Sequence, residues 1–195
     1  MRVVAAKRGD TIIEVLLAVT VFSLVAVGAL TVMNRGLNTA EQALEITQVK
    51  QQIDSQAAAL RAAHQAYVAG GPAAANWQAI LNQVGPTNST GTSLPTTTVC
   101  PAIPMGAFAM NQRTGTLVTN PQPMQAASPY PYAGVWFSSS DQTANPQAYG
   151  VWIEATRDMV GGFRAARDFT IHACWSIPGS SVPQTLETLV RLYEP

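Results

Sequence analysis

The sequence predicts an α+β protein: a long N-terminal α-helix, apolar enough in its first half to span a membrane, packed through its second half on a C-terminal antiparallel β-sheet domain. Three observations carry that expectation. From Val15 to Met33 the chain holds no charged residue. From Asp10 to Val68 it holds no proline, and Gly70-Gly71-Pro72 then supplies a helix stop. Beyond that stop come short runs rich in Val, Ile, Thr and aromatic residues, separated by Gly, Pro, Asn and Ser.

Composition agrees with a membrane segment. Charged residues make up 11% of the chain, against roughly 25% in a soluble globular domain. The formal net charge is zero, but Arg2, Lys7 and Arg8 all precede Gly9. Without residues 1–9 the chain keeps 8 basic residues against 11 acidic ones. Such a balance gives no general reason to expect nucleic-acid binding, which usually shows as a basic domain or face.

The run VLLAVTVFSLVAVGALTVM from Val15 to Met33 is close to the about 20 residues a helix needs to cross a bilayer. Basic residues ahead of it, with Arg35 the one early cation beyond it, favour an N-in, C-out orientation. A secretory signal cut near Ala26-Val27-Gly28 would share the basic start and the apolar stretch. Against that alternative stand the length of the run and its unbroken continuation into a second helical pattern. Asp10 and Glu14, set between the cations and the apolar core, also speak against it, because carboxylates near hydrocarbon are costly without a partner.

Lys7-Arg8-Gly9 followed by Asp10-Thr11-Ile12-Ile13-Glu14-Val15-Leu16-Leu17-Ala18 resembles the cleavage motif of type IV prepilins and pseudopilins, over roughly the first thirty-five residues. The resemblance implies a leader over 1–9 and a cut after Gly9 by a prepilin peptidase. It makes Asp10 the new first residue and the site of N-terminal methylation, although the family usually has phenylalanine or another apolar residue there. Glu14, five positions after the glycine, matches the family's hallmark glutamate. A carboxylate among packed apolar helices needs an opposite charge, and the α-amino group of a neighbouring subunit can supply it and set axial register. Alternatively, Glu14 snorkels to the lipid interface, as any anchor helix would tolerate. The implied partners are the peptidase, other pilin subunits through the N-terminal helix, the inner-membrane assembly platform, and membrane lipid before assembly. The implied location is a single-pass cytoplasmic membrane protein that becomes part of an extracellular filament.

Residues 10–33 form the membrane and assembly half of the helix, and 34–69 its amphipathic half. Leu37, Ala40, Leu44, Ile46, Val49, Ile53, Ala57, Leu60, Ala63 and Tyr67 recur mostly at three- and four-residue steps. The whole helix would reach about 85 to 90 Å at 1.5 Å per residue, so its second half must pack on something besides lipid. A sheet is preferred to a coiled coil, because the heptads are few and opposing charges scarce. Pilin helices often carry a proline near the outer end of the apolar run; Thr31 stands in that neighbourhood here.

Residues 70–195 are expected to form a β-rich, pilin-like globular domain. Ala73 to Val84 reads as a short helix ending at Gly85-Pro86, and Thr87 to Thr98 as a polar loop containing the sequon Asn88-Ser89-Thr90. Strands are expected at Ala107–Asn111 and Thr116–Thr119 around a turn at Gln112–Gly115, then at Ala133–Ser138, Tyr149–Thr156, Phe169–Ile177 and Leu186–Tyr193. Alternation in Val151-Trp152-Ile153-Glu154-Ala155-Thr156 predicts one face on the helix and one in water. Cys100 and Cys174 both fall in the part argued to be exported, where a disulfide is reasonable; two buried thiols are the alternative.

Little in the sequence resembles catalytic machinery. There is no GxSxG, HExxH or P-loop, and neither His64 nor His172 has metal-ligand spacing, so no cofactor, metal or catalytic residue is expected. Arg157, Arg164 and Arg167 around Gly161-Gly162 would be the contacts to nucleic acid or an anionic surface, but Asp158 and Asp168 interrupt them, as in a solvated loop. Tyr130, Tyr132, Trp136 and Trp175 suit either an adhesive surface or the core. Three functions follow: a filament subunit, a pseudopilin of a secretion or DNA-uptake machine, and a membrane-anchored extracellular binding domain.

Overall fold

The computed structural model describes residues 10–84, 99–124, 130–137, 146–157, 166–177, 180 and 182–193. The expected leader, the sequon and the Gly161-Gly162 loop lie outside them. Helix α1 runs Asp10–Val68 over 59 residues, as the proline-free run predicts. Its end is chemical: Gly70 takes φ +67°, its N–H donates to Tyr67 O, and the Gly71 N–H reaches back to Ala66 O. This is the left-handed cap that glycine forms without a Cβ penalty.

The chain divides into two compact units at Leu44/Glu45. In the first, the large apolar side chains of α1 are exposed, from Ile12 at 65% to Met33 at 62%. The second unit holds the remainder of α1, helix α2 (Ala74–Val84) and seven strands. These are β1 (Phe108–Met110), β2 (Leu117–Thr119), β3 (Gly134–Trp136), β4 (Gln147–Tyr149), β5 (Val151–Arg157), β6 (Ala166–Trp175) and β7 (Gln184–Tyr193). Five form an antiparallel sheet in the order β2-β1-β5-β6-β7, and β3 pairs separately with β4.

The helix packs on this sheet. Val49, Ile53, Ala57, Leu60 and Ala63 are buried at helical spacing against Phe108, Met110, Ile153, Phe169, Ile171 and Val190, with Trp77 and Ile80 of α2 completing the core. The expected seam is shorter at its start: Leu37, Leu44 and Ile46 are exposed, and burial begins at Val49.

Two expectations about the sheet are corrected. Tyr149–Thr156 is not one strand. Gly150 takes φ +64°, donates its N–H to Gln122 O, and accepts at its carbonyl the N–H of Cys174. That turn sends β4 to β3 and β5 into the main sheet. Nor does one face of β5 meet water: Trp152 and Glu154 are as buried as Val151 and Ile153. Ala107, Trp152 and Cys174 form a second small core with Cys100 and Ile103, so the segment preceding β1 covers that face.

Candidate functional site

Of the N-terminal residues singled out by sequence, Gly9 lies outside the described structure. Asp10 is the first residue of α1, and Glu14 is exposed in its second turn. From Thr11 to Asn34, Glu14 is the only charged residue. The hydroxyls of Thr20, Ser23 and Thr31 are satisfied by the helix itself. Thr20 Oγ1 donates to Leu16 O at 3.0 Å and Leu17 O at 2.8 Å, Ser23 Oγ to Val19 O at 2.7 Å, and Thr31 Oγ1 to Val27 O at 2.9 Å. Back-bonding of this kind removes the cost of placing a hydroxyl in hydrocarbon. By length and composition α1 can cross a membrane.

The second half of α1 is locked to the sheet by residues that pattern reading passed over. Gln56 is fully buried on the apolar stripe between Ile53 and Leu60. Its Nε2 donates to Met110 O at 2.8 Å, and its Oε1 accepts from Met110 N at 2.7 Å. β5 pairs with β1 only at Phe108↔Ile153, so the amide of Gln56 takes the place of a strand partner for Met110. One turn earlier, Gln52 Oε1 accepts from Gln112 Nε2 at 2.9 Å and Val135 N at 3.5 Å. The available signal was a glutamine at i+3 from Ile53 within an otherwise apolar face.

Cys100 and Cys174 are joined in a disulfide, with Cα atoms 5.8 Å apart and 74 residues of sequence separation. Closing such a loop contributes about 4 kcal/mol in the chain-entropy model. The bridge holds the covering segment above Trp152 and a buried polar group. Trp152 Nε1 donates to Glu154 Oε1 at 2.7 Å, and the His172 ring stacks on Trp152 at 5.2 Å. His172 Nε2 lies 3.7 Å from Glu154 Oε1, and its Nδ1 lies 3.5 Å from Glu187 Oε2. Burial pushes the His172 pKa below the ordinary imidazole value, against the opposing pull of Glu154 and Glu187.

Among the described residues, His64, Arg167, Trp175, Tyr130, Tyr132 and Trp136 are held by contacts within the fold. His64 Nε2 lies 3.1 Å from Tyr193 O, and its ring meets Trp77 edge-on. Arg167 is 8% exposed, which withdraws it from a nucleic-acid face. Asp168, beside it, accepts Nε and Nη2 of Arg191 at 2.6 and 2.5 Å. Trp175 is buried, whereas Tyr130 stacks on Trp136 at 4.5 Å and Tyr132 lies against the same indole. A cavity of about 60 Å³ between Pro104–Ala107 and Glu154–Ala155 is far below the roughly 300 Å³ that a small-molecule site needs. Among the described residues, no group of three or more His, Cys, Asp or Glu is arranged to hold a metal.

Comparison with protein-family models, curated proteins and solved structures finds no match to this chain.

Proposed function

We propose that the protein is a type IV pilin-like structural subunit, cut after Gly9 by a prepilin peptidase and assembled through α1 into an extracellular filament. One observation carries the reading: the exposed apolar segment of α1 begins at a Lys7-Arg8-Gly9-Asp10 junction and contains Glu14 as its one charge. An apolar helical surface of this length needs lipid or protein around it. Membrane insertion of the precursor supplies the first, and helix packing in a filament supplies the second. In the filament, the Glu14 carboxylate loses water and takes the α-amino group of Asp10 on a neighbouring subunit as its counter-charge. Arg2, Lys7 and Arg8 hold the N-terminus inside, so the sheet domain with its disulfide lies outside.

The test is the N-terminus of the protein recovered from cells, by intact mass and terminal sequencing, with Gly9→Ala as control. The proposal expects a start at Asp10 that is lost in Gly9→Ala. It further expects Glu14→Ala to be processed yet missing from sheared filaments. A start at Met1, or beyond Gly28, overturns it. An uncut Gly9 with a harmless Glu14→Ala would mark a membrane-anchored domain instead.

A further inference from the structure

β7 is the outer strand of the sheet. β6 pairs with it over all ten residues from Gln184 to Tyr193, and no described strand lies on its other side. Proteins commonly blunt such an edge with proline or a short strand, and β7 has neither.

Its side chains alternate between two faces. Thr188 and Val190 stand beside Ile171 and Phe169 of the core, whereas Glu187 stands beside His172 and Arg191 beside Asp168 on the opposite face. On that opposite face Leu189 is 57% exposed, between Glu187 two residues before it and Arg191 two residues after.

We propose that β7 pairs antiparallel with β7 of a second copy of this chain, about a two-fold axis through Leu189. The sequence of the edge is self-complementary about that point. In this register Leu189 meets Leu189, Glu187 lies opposite Arg191 of the second copy, and Arg191 lies opposite its Glu187. On the core face, Leu186 lies opposite Leu192 in both directions. Opposite charges and apolar pairs directly across an antiparallel ladder are favourable, and like charges are not. The charge order also extends inward: Asp168, Arg191, then Glu187 and His172 of the second copy, form one row across four strands. A second row repeats it by symmetry. Moving the axis to Thr188 or Val190 removes both ion pairs, and parallel in-register pairing sets Glu187 against Glu187, so the register is specified. The His64 contact to Tyr193 O falls at the strand end, outside the span from Leu186 to Leu192. The pairing uses only the second unit and stands whether or not the chain is a filament subunit.

The experiment uses the full chain in detergent micelles. The described cysteines are bonded to each other, so Leu189→Cys introduces the reporter thiol. Residues facing each other across an antiparallel pair sit about 4.5 to 5.5 Å apart between Cα atoms, within disulfide reach. Mild oxidation should therefore give a covalent dimer on a non-reducing gel. Glu187→Cys alone should not, because its two copies lie about 13 Å apart along the strands. Adding Glu187→Arg to the Leu189→Cys chain should lower the dimer yield about tenfold. Mixing that chain with one carrying Leu189→Cys, Asp168→Arg and Arg191→Glu should restore the yield, since both pairs between the copies are then of opposite charge and the pair between positions 168 and 191 is kept in reverse. No dimer from Leu189→Cys, equal dimer from Glu187→Cys, or no recovery on mixing would each overturn the proposal.

Discussion

Gln56 is a single side chain whose loss should be felt through the whole second unit. Replacing it with leucine keeps most of its volume and removes both of its hydrogen bonds to Met110. The Met110 N–H and C=O stay buried, because Met110 is fully buried, and β5 has already diverged from β1 at that point. Each buried backbone group left without a partner costs about 1–3 kcal/mol, so the pair together should cost about 3 kcal/mol. Gln56→Ala should cost more, because it adds a cavity under Met110. The assay is urea unfolding of the full chain in detergent, followed by tryptophan fluorescence. Trp77, Trp136, Trp152 and Trp175 all lie in the second unit, so the signal reports that unit and not the apolar part of α1. With a slope of about 2 kcal/mol/M, the midpoint of Gln56→Leu should fall by about 1.5 M at unchanged slope. A fall of less than about 0.3 M would refute the argument that this amide substitutes for a strand, since no other described group then needs it.

Two further perturbations test the other features that position the sheet. Gly150→Ala places a Cβ against the Cys174 carbonyl at a backbone conformation of φ +64°, and should destabilise the second unit by about 3 kcal/mol in the same urea assay; a variant as stable as the parent would show that β4 and β5 do not need this turn. Acidification separates two groups by sign and window. The folded His172 pKa is lowered, so below the ordinary value of about 6.5 the unfolded chain takes a proton that the folded chain refuses. Stability is then lost as pH falls from that value toward the lowered one, and His172→Gln should remove this loss. Asp168 is also lowered, first by the hydrogen bond from Arg191, so its contribution is present above about pH 4 and is lost as pH falls through its folded value. Arg191→Ala should flatten the urea-midpoint curve below pH 4 and leave the His172 window unchanged.

Much of this fold was legible because its signals are local. The bounds of α1 follow from the absence of proline through Val68 and from the glycine at 70, whose left-handed cap needs only a few neighbouring atoms. The β1–β2 hairpin follows from Asn111 to Gly115, where Asn111 Oδ1 accepts from Arg113 N at 3.0 Å and Gly115 N–H returns to Asn111 O. α2, β6 and β7 lie within a few residues of their expected positions. The membrane-length segment and the motif around Gly9 and Glu14 are likewise properties of contiguous residues.

What the sequence by itself determined is therefore the long helix, its apolar half with one glutamate, and an antiparallel sheet domain beyond it. Tertiary structure decided the rest, because each remaining feature depends on atoms distant in the chain. Tyr149 to Thr156 alternates like one strand, and only the approach of the Cys174 backbone to Gly150 divides it. Trp152 and Glu154 read as a watered face until the disulfide at Cys100 brings residues 100–107 over them. Gln56 stands on the apolar face of α1 with nothing nearby in sequence to say what it bonds, and its partner exists only because β1 diverges from β5 and leaves Met110 needing one. Alternation along a strand tells which residues share a face. What covers that face is set by chain closure over many residues, and no local pattern records it.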